Sequence, residues 1–254
     1  MIRRKTAREI ELMRRTGRIA AAARDIAGSM VTVGATTHSI DKKVRDFILS
    51  QGAVPAFLGY NGFPGNICVS VNEQVIHGIP SPRKLIQGDI VSIDIGTVKD
   101  GYVGDCAATF IAGTGSAESE RLIKVTRECF FEGLKYARVG YRVSDISGAI
   151  QRYAEGNGFS VVREYIGHGV GTKMHEPPEV PNYVQIPRKG PDPRLLSGMT
   201  LAIEPMVNAG KAAIRILSDG WTVVTADGAK SAHYENTILI TEGEPEILTL
   251  SEET

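Results

Sequence analysis

The sequence predicts an α+β fold made of two similar halves facing each other across a cleft. Helical patterns come in pairs and strand patterns in hairpins, which is not the repeating β-α order of a doubly wound nucleotide fold. One stretch of chain also recurs at a constant offset. Val33-Gly34, Ile40, Val44, Phe47 and Gly52 are matched by Val139-Gly140, Ile146, Ile150, Tyr153 and Gly158, each 106 residues later. The same offset pairs Ile19 with Val125 and Ala23 with Cys129. A chance helical rhythm would match the apolar positions but not the Val-Gly before and the Gly after them. We therefore expect an internal duplication within a single domain, with halves of about residues 1–112 and 113–254 and a ligand cleft at their junction.

The elements follow in order. Thr6-Ala7-Arg8-Glu9 fits a capping box, and Ile10, Met13, Ala20 and Ile26 continue at helical spacing, so residues 7–27 are predicted helical up to Gly28. A second helix lies between Gly34 and Gly52. Ile67, Val69 and Val71 alternate as in a strand, and Asp89 to Val98 is rich in Val and Ile. Asp100-Gly101 is a two-residue hairpin signal that returns the chain through Tyr102 to Asp105. The second helix pair comes next. Strands are then expected at Thr200–Ile203 and Thr237–Thr241. Six of the twelve prolines fall within residues 177–193, which predicts an extended surface loop there.

Composition removes several classes of function. The chain has 254 residues, with 42% hydrophobic and 23% charged residues, ordinary values for a globular protein with a sizeable core. Lys+Arg 29 against Asp+Glu 29 leaves no global field for nucleic acid or an anionic membrane. Charge is uneven only locally: residues 1–18 hold seven basic and two acidic side chains. Three cysteines without a CxxC exclude a disulfide scaffold or a Cys-rich zinc module and suit a reducing cytoplasm. The longest early apolar run stops at Arg24, too short for a membrane span or a signal peptide.

The chemistry concentrates in a few segments. With the turn at Asp100-Gly101, Asp94 lies opposite Ala107, two residues from Asp105, so both aspartates share a sheet face as diagonal neighbours. Like charges so placed repel unless a cation lies between them. Gly167-His168-Gly169-Val170-Gly171 sets an imidazole among glycines, where backbone and ligand can approach closely. Glu204 ends one apolar strand and Glu235 begins another, positions where a carboxylate is costly to bury unless paired or coordinated. Asp94, Asp105, His168, Glu204 and Glu235 together offer four carboxylates and one imidazole. That set offsets two divalent cations and suits Mn, Fe(II), Co or Zn. Two such ions can activate water for hydrolysis. His175-Glu176-Pro177-Pro178-Glu179 is not a zincin helix, because the prolines break it. Gly113-Thr114-Gly115 lacks the context of a dinucleotide site, and there is neither a GxSxG elbow nor a P-loop.

Taken in order, Asn72 to Pro80, Ile93-Asp94, Gly104-Asp105, Gly167 to Gly171, His175-Glu176, Gly198 to Thr200, Ile203 to Pro205 and His233 to Asn236 resemble the type I methionine aminopeptidases of the creatinase or pita-bread family. The likeness runs over nearly the whole chain. It implies the pita-bread fold and removal of N-terminal methionine from nascent chains whose second residue is small. It also implies that Asp94 binds one metal, that Asp105 and Glu235 bridge two, and that His168 and Glu204 complete the second. Glu204 would shuttle a proton, His175 would polarise the scissile carbonyl, and His77 would contact the substrate near the scissile nitrogen. Tyr60, Phe63, Cys68, Trp221 and Met174 would form the methionine pocket. Met174 stands where the family often has an aromatic residue, and Phe57 where others have cysteine. A cytoplasmic monomer without membrane attachment is expected. The basic segment 3–18 suggests docking to ribosomal RNA. Two rivals are a prolidase or aminopeptidase P, for whose additional N-terminal domain residues 1–32 leave no room, and a scaffold without catalysis, which would be expected to lack ligands.

Overall fold

In the computed structural model, which describes residues 2–187 and 190–251, the chain opens with two helices, α1 (Ala7–Ser29) and α2 (Thr37–Ser50). Thr6 and Glu9 form the expected capping box. The helix runs two residues past the expected stop because Gly28 serves packing rather than termination: a Cβ there would come 2.3 Å from the Phe110 ring. Gly104 likewise lets α1 lie close on the following sheet, since a Cβ there would meet the Gly17 backbone at 2.9 Å.

Strands β1 (Val54–Pro55), β2 (Cys68–Val71) and β3 (Gln74–Ile76) lead into a long hairpin, β4 (Ile90–Lys99) and β5 (Tyr102–Ile111). A second helix pair follows, α3 (Ala117–Leu134) and α4 (Val143–Gly156). Helices α2 and α4 have 14 residues each and begin 106 residues apart. The turns before them use Gly34 at φ +90° and Gly140 at φ +100°; those after them use Gly52 at φ +64° and Gly158 at φ +79°. Each of these glycines adopts a left-handed conformation that a side chain would strain.

Short strands complete the chain: β6 (Ser160–Val161), β7 (Gly167–Gly169), β8 (Glu176–Val180), β9 (Thr200–Ile203) and β10 (Met206–Asn208). After them come β11 (Ile214–Ile216), β12 (Val223–Thr225), β13 (Ser231–His233), β14 (Glu235–Leu239) and β15 (Glu246–Ile247). The proline-rich stretch therefore departs from expectation. Pro177 and Pro178 lie in β8, at the edge of the main sheet, where a missing backbone donor is tolerated. Residues 188 and 189 of that stretch lie outside the described residues.

The main sheet runs β1-β4-β5-β14-β9-β7-β8, with β2 also on β4 and β15 also on β14. One apolar cluster joins Ala20, Ala23 and Ala27 of α1 and Ile40, Val44 and Ile48 of α2 to Val91, Ile93 and Ile95 of β4. Another joins Leu122, Val125 and Phe130 of α3 and Ile146 and Ile150 of α4 to Leu201, Ile203 and Ile238. Each helix pair thus covers the back of its own strands and leaves the opposite face for chemistry. Truncating a buried side chain such as Phe130 would cost about 3–5 kcal/mol.

Candidate metal centre and substrate pocket

The β4-β5 hairpin carries the first two acids. Asp100 (φ +52°) and Gly101 (φ +79°) form the turn, Lys99 faces Tyr102, and Asp94 faces Ala107. On the far side of β5, Glu235 at the start of β14 also pairs with Ala107. Asp94, Ala107 and Glu235 therefore stand side by side across three strands, with Asp105 two residues along the central one. The methyl group of Ala107 keeps the floor between the acids low. His168 on β7 pairs with Ala202 of β9, and Glu204 follows the end of that strand.

These side chains converge. One atom from each of Asp105, His168 and Glu235 lies within 4.8 Å of the others. His168 Nε2 is 3.4 Å from Glu204 Oε1 and 3.7 Å from Asp105 Oδ2. His168 Nδ1 donates to Gly169 O at 2.9 Å, which leaves Nε2 as the free donor atom for a metal. Burial, reinforced by neighbouring carboxylates, pushes Asp94, Glu204 and Glu235 well above the usual carboxylate range. Burial pushes Asp105 up to about 7. Burial and the nearby His175 bring His168 down to about 4, so its imidazole is neutral at pH 7. Asp94 Oδ1, Asp105 Oδ1 and Glu235 Oε1 are buried without a hydrogen-bond partner among the described residues. Unpartnered carboxylate oxygens grouped around a neutral imidazole fit divalent cations, which would satisfy them.

Above this cluster a cavity of about 290 Å³ is lined by Phe57, Tyr60, Phe63, Cys68, His77, Met174, His175 and Trp221 as well as by the five candidate ligands. All twelve site residues expected from the sequence face this single cavity. Phe63 meets Trp221 edge-on at 5.2 Å, and His77 stands 6.2 Å from Trp221. Asp219 accepts from the Trp221 and Thr222 backbones at 2.8 Å and so sets the turn that presents the indole. Tyr60 Oη lies 2.7 Å from His175 Nδ1. Met174 and Phe57 pack over Gly96, where a Cβ would meet them at 2.8 and 2.6 Å.

The sequence of this chain matches the model of metallopeptidase family M24 over residues 11–242. The chain belongs to this family. It is 52% identical to the methionine aminopeptidase of Clostridium perfringens over 98% of its own length and 99% of that protein. Its fold superposes on the crystal structure of methionine aminopeptidase from Thermotoga maritima with a TM-score of 0.95 and 44% identity, covering 99% of this chain and 100% of that one. The prolidase from Pyrococcus furiosus shares the fold at a TM-score of 0.80 and 23% identity, but this chain spans only 66% of it. The M24 member thus has the pita-bread architecture, and as a metallopeptidase it takes divalent metal ions.

Four lining residues of this M24 member were not anticipated: Asn61, Ile76, Tyr165 and Ile166. Ile166 shares strand parity with His168, a signal present in the sequence. Tyr165 reaches His77 edge-on at 5.4 Å across the fold, for which no local pattern exists. His233 is buried, with Nε2 3.8 Å from Glu235, and the sequence marks it only as part of a motif. All three cysteines are unpaired and buried, and burial with the nearby Asp94 holds the Cys68 thiol protonated. No helix among the described residues is long and apolar enough to cross a membrane.

Proposed function

We propose that this chain removes the N-terminal methionine of peptides and nascent polypeptides whose second residue is small, by hydrolysing the first peptide bond. The observation that carries this reading is the junction of a carboxylate and imidazole cluster with an aromatic and thioether-lined cavity. Asp94, Asp105, His168, Glu204 and Glu235 would together hold two divalent ions, whose charge the four carboxylates would offset. Mn, Fe(II), Co and Zn all suit these donors. When bound, such ions supply Lewis-acid charge and bring the pKa of water toward 7.

The protein side chains do the rest. Glu204, beside His168 and facing the cavity, takes a proton from water and returns it to the leaving amine. With Tyr60 donating to Nδ1, the Nε2 proton of His175 is free to hydrogen-bond the substrate carbonyl as negative charge develops on it. His77, neutral because burial and the nearby His175 bring it down to about 4, contacts the scissile nitrogen. Tyr60, Phe63, Cys68, Met174 and Trp221 hold the methionine side chain, whose flexible thioether suits aromatic walls.

A panel of Met-Xaa-Ser and Xaa-Gly-Ser tripeptides with added Mn or Co tests the reading. We expect cleavage of Met-Ala and Met-Gly bonds. Preferential cleavage of Xaa-Pro bonds would point to a prolidase, and no cleavage with metal bound would point to a scaffold.

We further propose that the chain works as a cytoplasmic monomer, as a single domain of two related halves, and that its basic N-terminal face docks to ribosomal RNA. That face is smaller than composition suggests. Arg3 pairs with Glu9, Lys5 is buried against Glu176, and Arg14 is held by Glu246 at 2.6 Å. Arg3, Arg4, Arg8, Arg15 and Arg18 are exposed, Arg15 with Glu11 3.6 Å away. Replacing Arg8 and Arg15 with Gln is expected to lower ribosome co-sedimentation at unchanged tripeptide turnover. Unchanged co-sedimentation would remove the docking idea.

A further inference from the structure

The loop from Val170 to His175 joins β7, which carries His168, to β8, which begins at Glu176. It presents both Met174 and His175 to the cavity. Few bonds hold it. Gly171 N donates to Lys173 O at 3.1 Å, and Val103 N donates to Gly171 O at 2.8 Å. Glu176 Oε1 accepts from Lys173 N at 3.2 Å and from Thr172 Oγ1 at 3.4 Å.

The other carboxylate oxygen of Glu176 is occupied from far away in the chain. Lys5 Nζ donates to Glu176 Oε2 at 2.7 Å, with the lysine side chain 3% and the glutamate side chain 11% exposed. A buried ammonium is costly unless paired, so this geometry is fixed in a way that a surface ion pair is not. Gly171 makes the approach possible, because a Cβ there would stand 2.6 Å from both Lys5 Cε and Glu176 Oε1. The segment bearing Lys5 is itself anchored. Lys5 N donates to Gly198 O and Arg4 Nε to Ser197 O, both at 2.6 Å, in the turn before β9, the strand that leads to Glu204.

We propose that Lys5 and Glu176 are positioning residues for His175. The segment before α1 acts as a cross-brace that fixes the His175 loop relative to the strand leading to Glu204. Glu176 is the next residue after His175, so a shift of its carboxylate is transmitted to the imidazole through one peptide unit. Tyr60 restrains the ring of His175 from across the cavity, and the Lys5–Glu176 pair restrains its backbone. Unlike Tyr60, neither Lys5 nor Glu176 lines the cavity. The proposal rests on the role given to His175 above.

The test measures Met-Ala-Ser hydrolysis by metal-saturated full-length protein carrying Lys5→Met, Glu176→Gln, Lys5→Arg, His175→Ala or Lys5→Met with His175→Ala. A misplacement of about 1 Å can reduce rate on the order of a hundredfold, so kcat should fall about ten- to a hundredfold in Lys5→Met and Glu176→Gln. KM and metal per chain should stay near the wild-type values, and Lys5→Arg should recover most of the rate. In the His175→Ala background, Lys5→Met should have almost no further effect. Wild-type kcat in both single variants would overturn the proposal, as would metal loss that accounts for the defect or an effect that persists without His175. Should Lys5→Met fail to fold, Glu176→Gln, which keeps the shape and removes only charge, decides by the same criteria. Wild-type turnover by His175→Ala would instead overturn the role of His175 itself, whereas its loss alongside an active Lys5→Met variant would overturn only the brace.

Discussion

Asp94, Asp105 and Glu235 stand on strands whose backbones are fixed by ladders on both sides, while His77 and His175 stand on short irregular segments held by a handful of bonds. Ladder pairing places each carboxylate opposite or diagonal to the next, and moving one would require unzipping a sheet backed by a helix pair. His77 instead sits at φ +56° just after β3, a conformation that costs a non-glycine residue energy and persists only when its surroundings impose it. Its neighbour Gly78 supplies the constraint, donating to Ser70 Oγ at 3.0 Å and accepting from Val69 N at 2.9 Å. The rigid region is suited to holding charge and the looser one to gripping substrate. Substitutions in the two should therefore fail differently.

The largest effect is expected in the rigid region. Glu204, just past the ladder-paired strand β9, is the proposed proton acceptor, and Glu204→Gln should lower kcat by about 10² to 10⁴ with the fold intact. Asp105→Asn should abolish activity together with metal binding, measured as metal per chain by mass spectrometry. Either variant turning over near the wild-type rate with full metal would break the assignment of chemistry to the sheet.

In the looser region, His175→Ala should lower kcat by about 10² to 10³ while metal content and thermal stability stay near wild type. Tyr60→Phe removes the partner of Nδ1 and should have a smaller effect of the same kind. Loss of metal in His175→Ala would show that the two regions are less separate than their backbones suggest. For the pocket wall, Trp221→Leu should narrow the preference for methionine over norleucine by about two- to tenfold in kcat/KM, the scale of a sulfur–aromatic contact.

The same division decides what the sequence could tell. Asp100-Gly101 fixes the hairpin register, and once Lys99 faces Tyr102 the positions of Asp94 and Asp105 follow by alternation, as the structure has them. Repeated Val-Gly and Gly signals located both helix pairs. The loop side was legible only through likeness to a family. His77, Tyr165 and Trp221 meet through contacts between segments remote in sequence, which no periodicity encodes. Residues 177–180 form an edge strand and not the expected loop, because a sheet edge accepts proline as well as a loop does. Nothing local distinguishes Lys5, which is buried, from the other basic residues of segment 3–18; its partner Glu176 is far along the chain.

The smallest predicted effect concerns that pair and is read as stability rather than rate. The Glu176 carboxyl lies below its ordinary pKa because the bonds from Lys5, Lys173 and Thr172 outweigh its burial. A carboxylate whose pKa is lower in the folded than in the unfolded chain contributes stability above its unfolded value, near 4.3, and that contribution is lost as pH falls through the folded value. Wild type should therefore melt on the order of a few degrees above Glu176→Gln at pH 7, since about 1 kcal/mol shifts Tm by roughly 2–4 °C in a chain of this size. The gap should narrow as pH falls below the unfolded value and close once it passes the lower folded value, where the wild-type carboxyl takes up its proton. Melting curves of both proteins at pH 7, 5 and 3.5, run at matched metal loading, read this directly. A gap that stays constant across the series would mean that Glu176 holds the His175 loop by shape and hydrogen bonding rather than by charge, and the contrast between a charge-braced loop and a ladder-braced sheet would have to be redrawn.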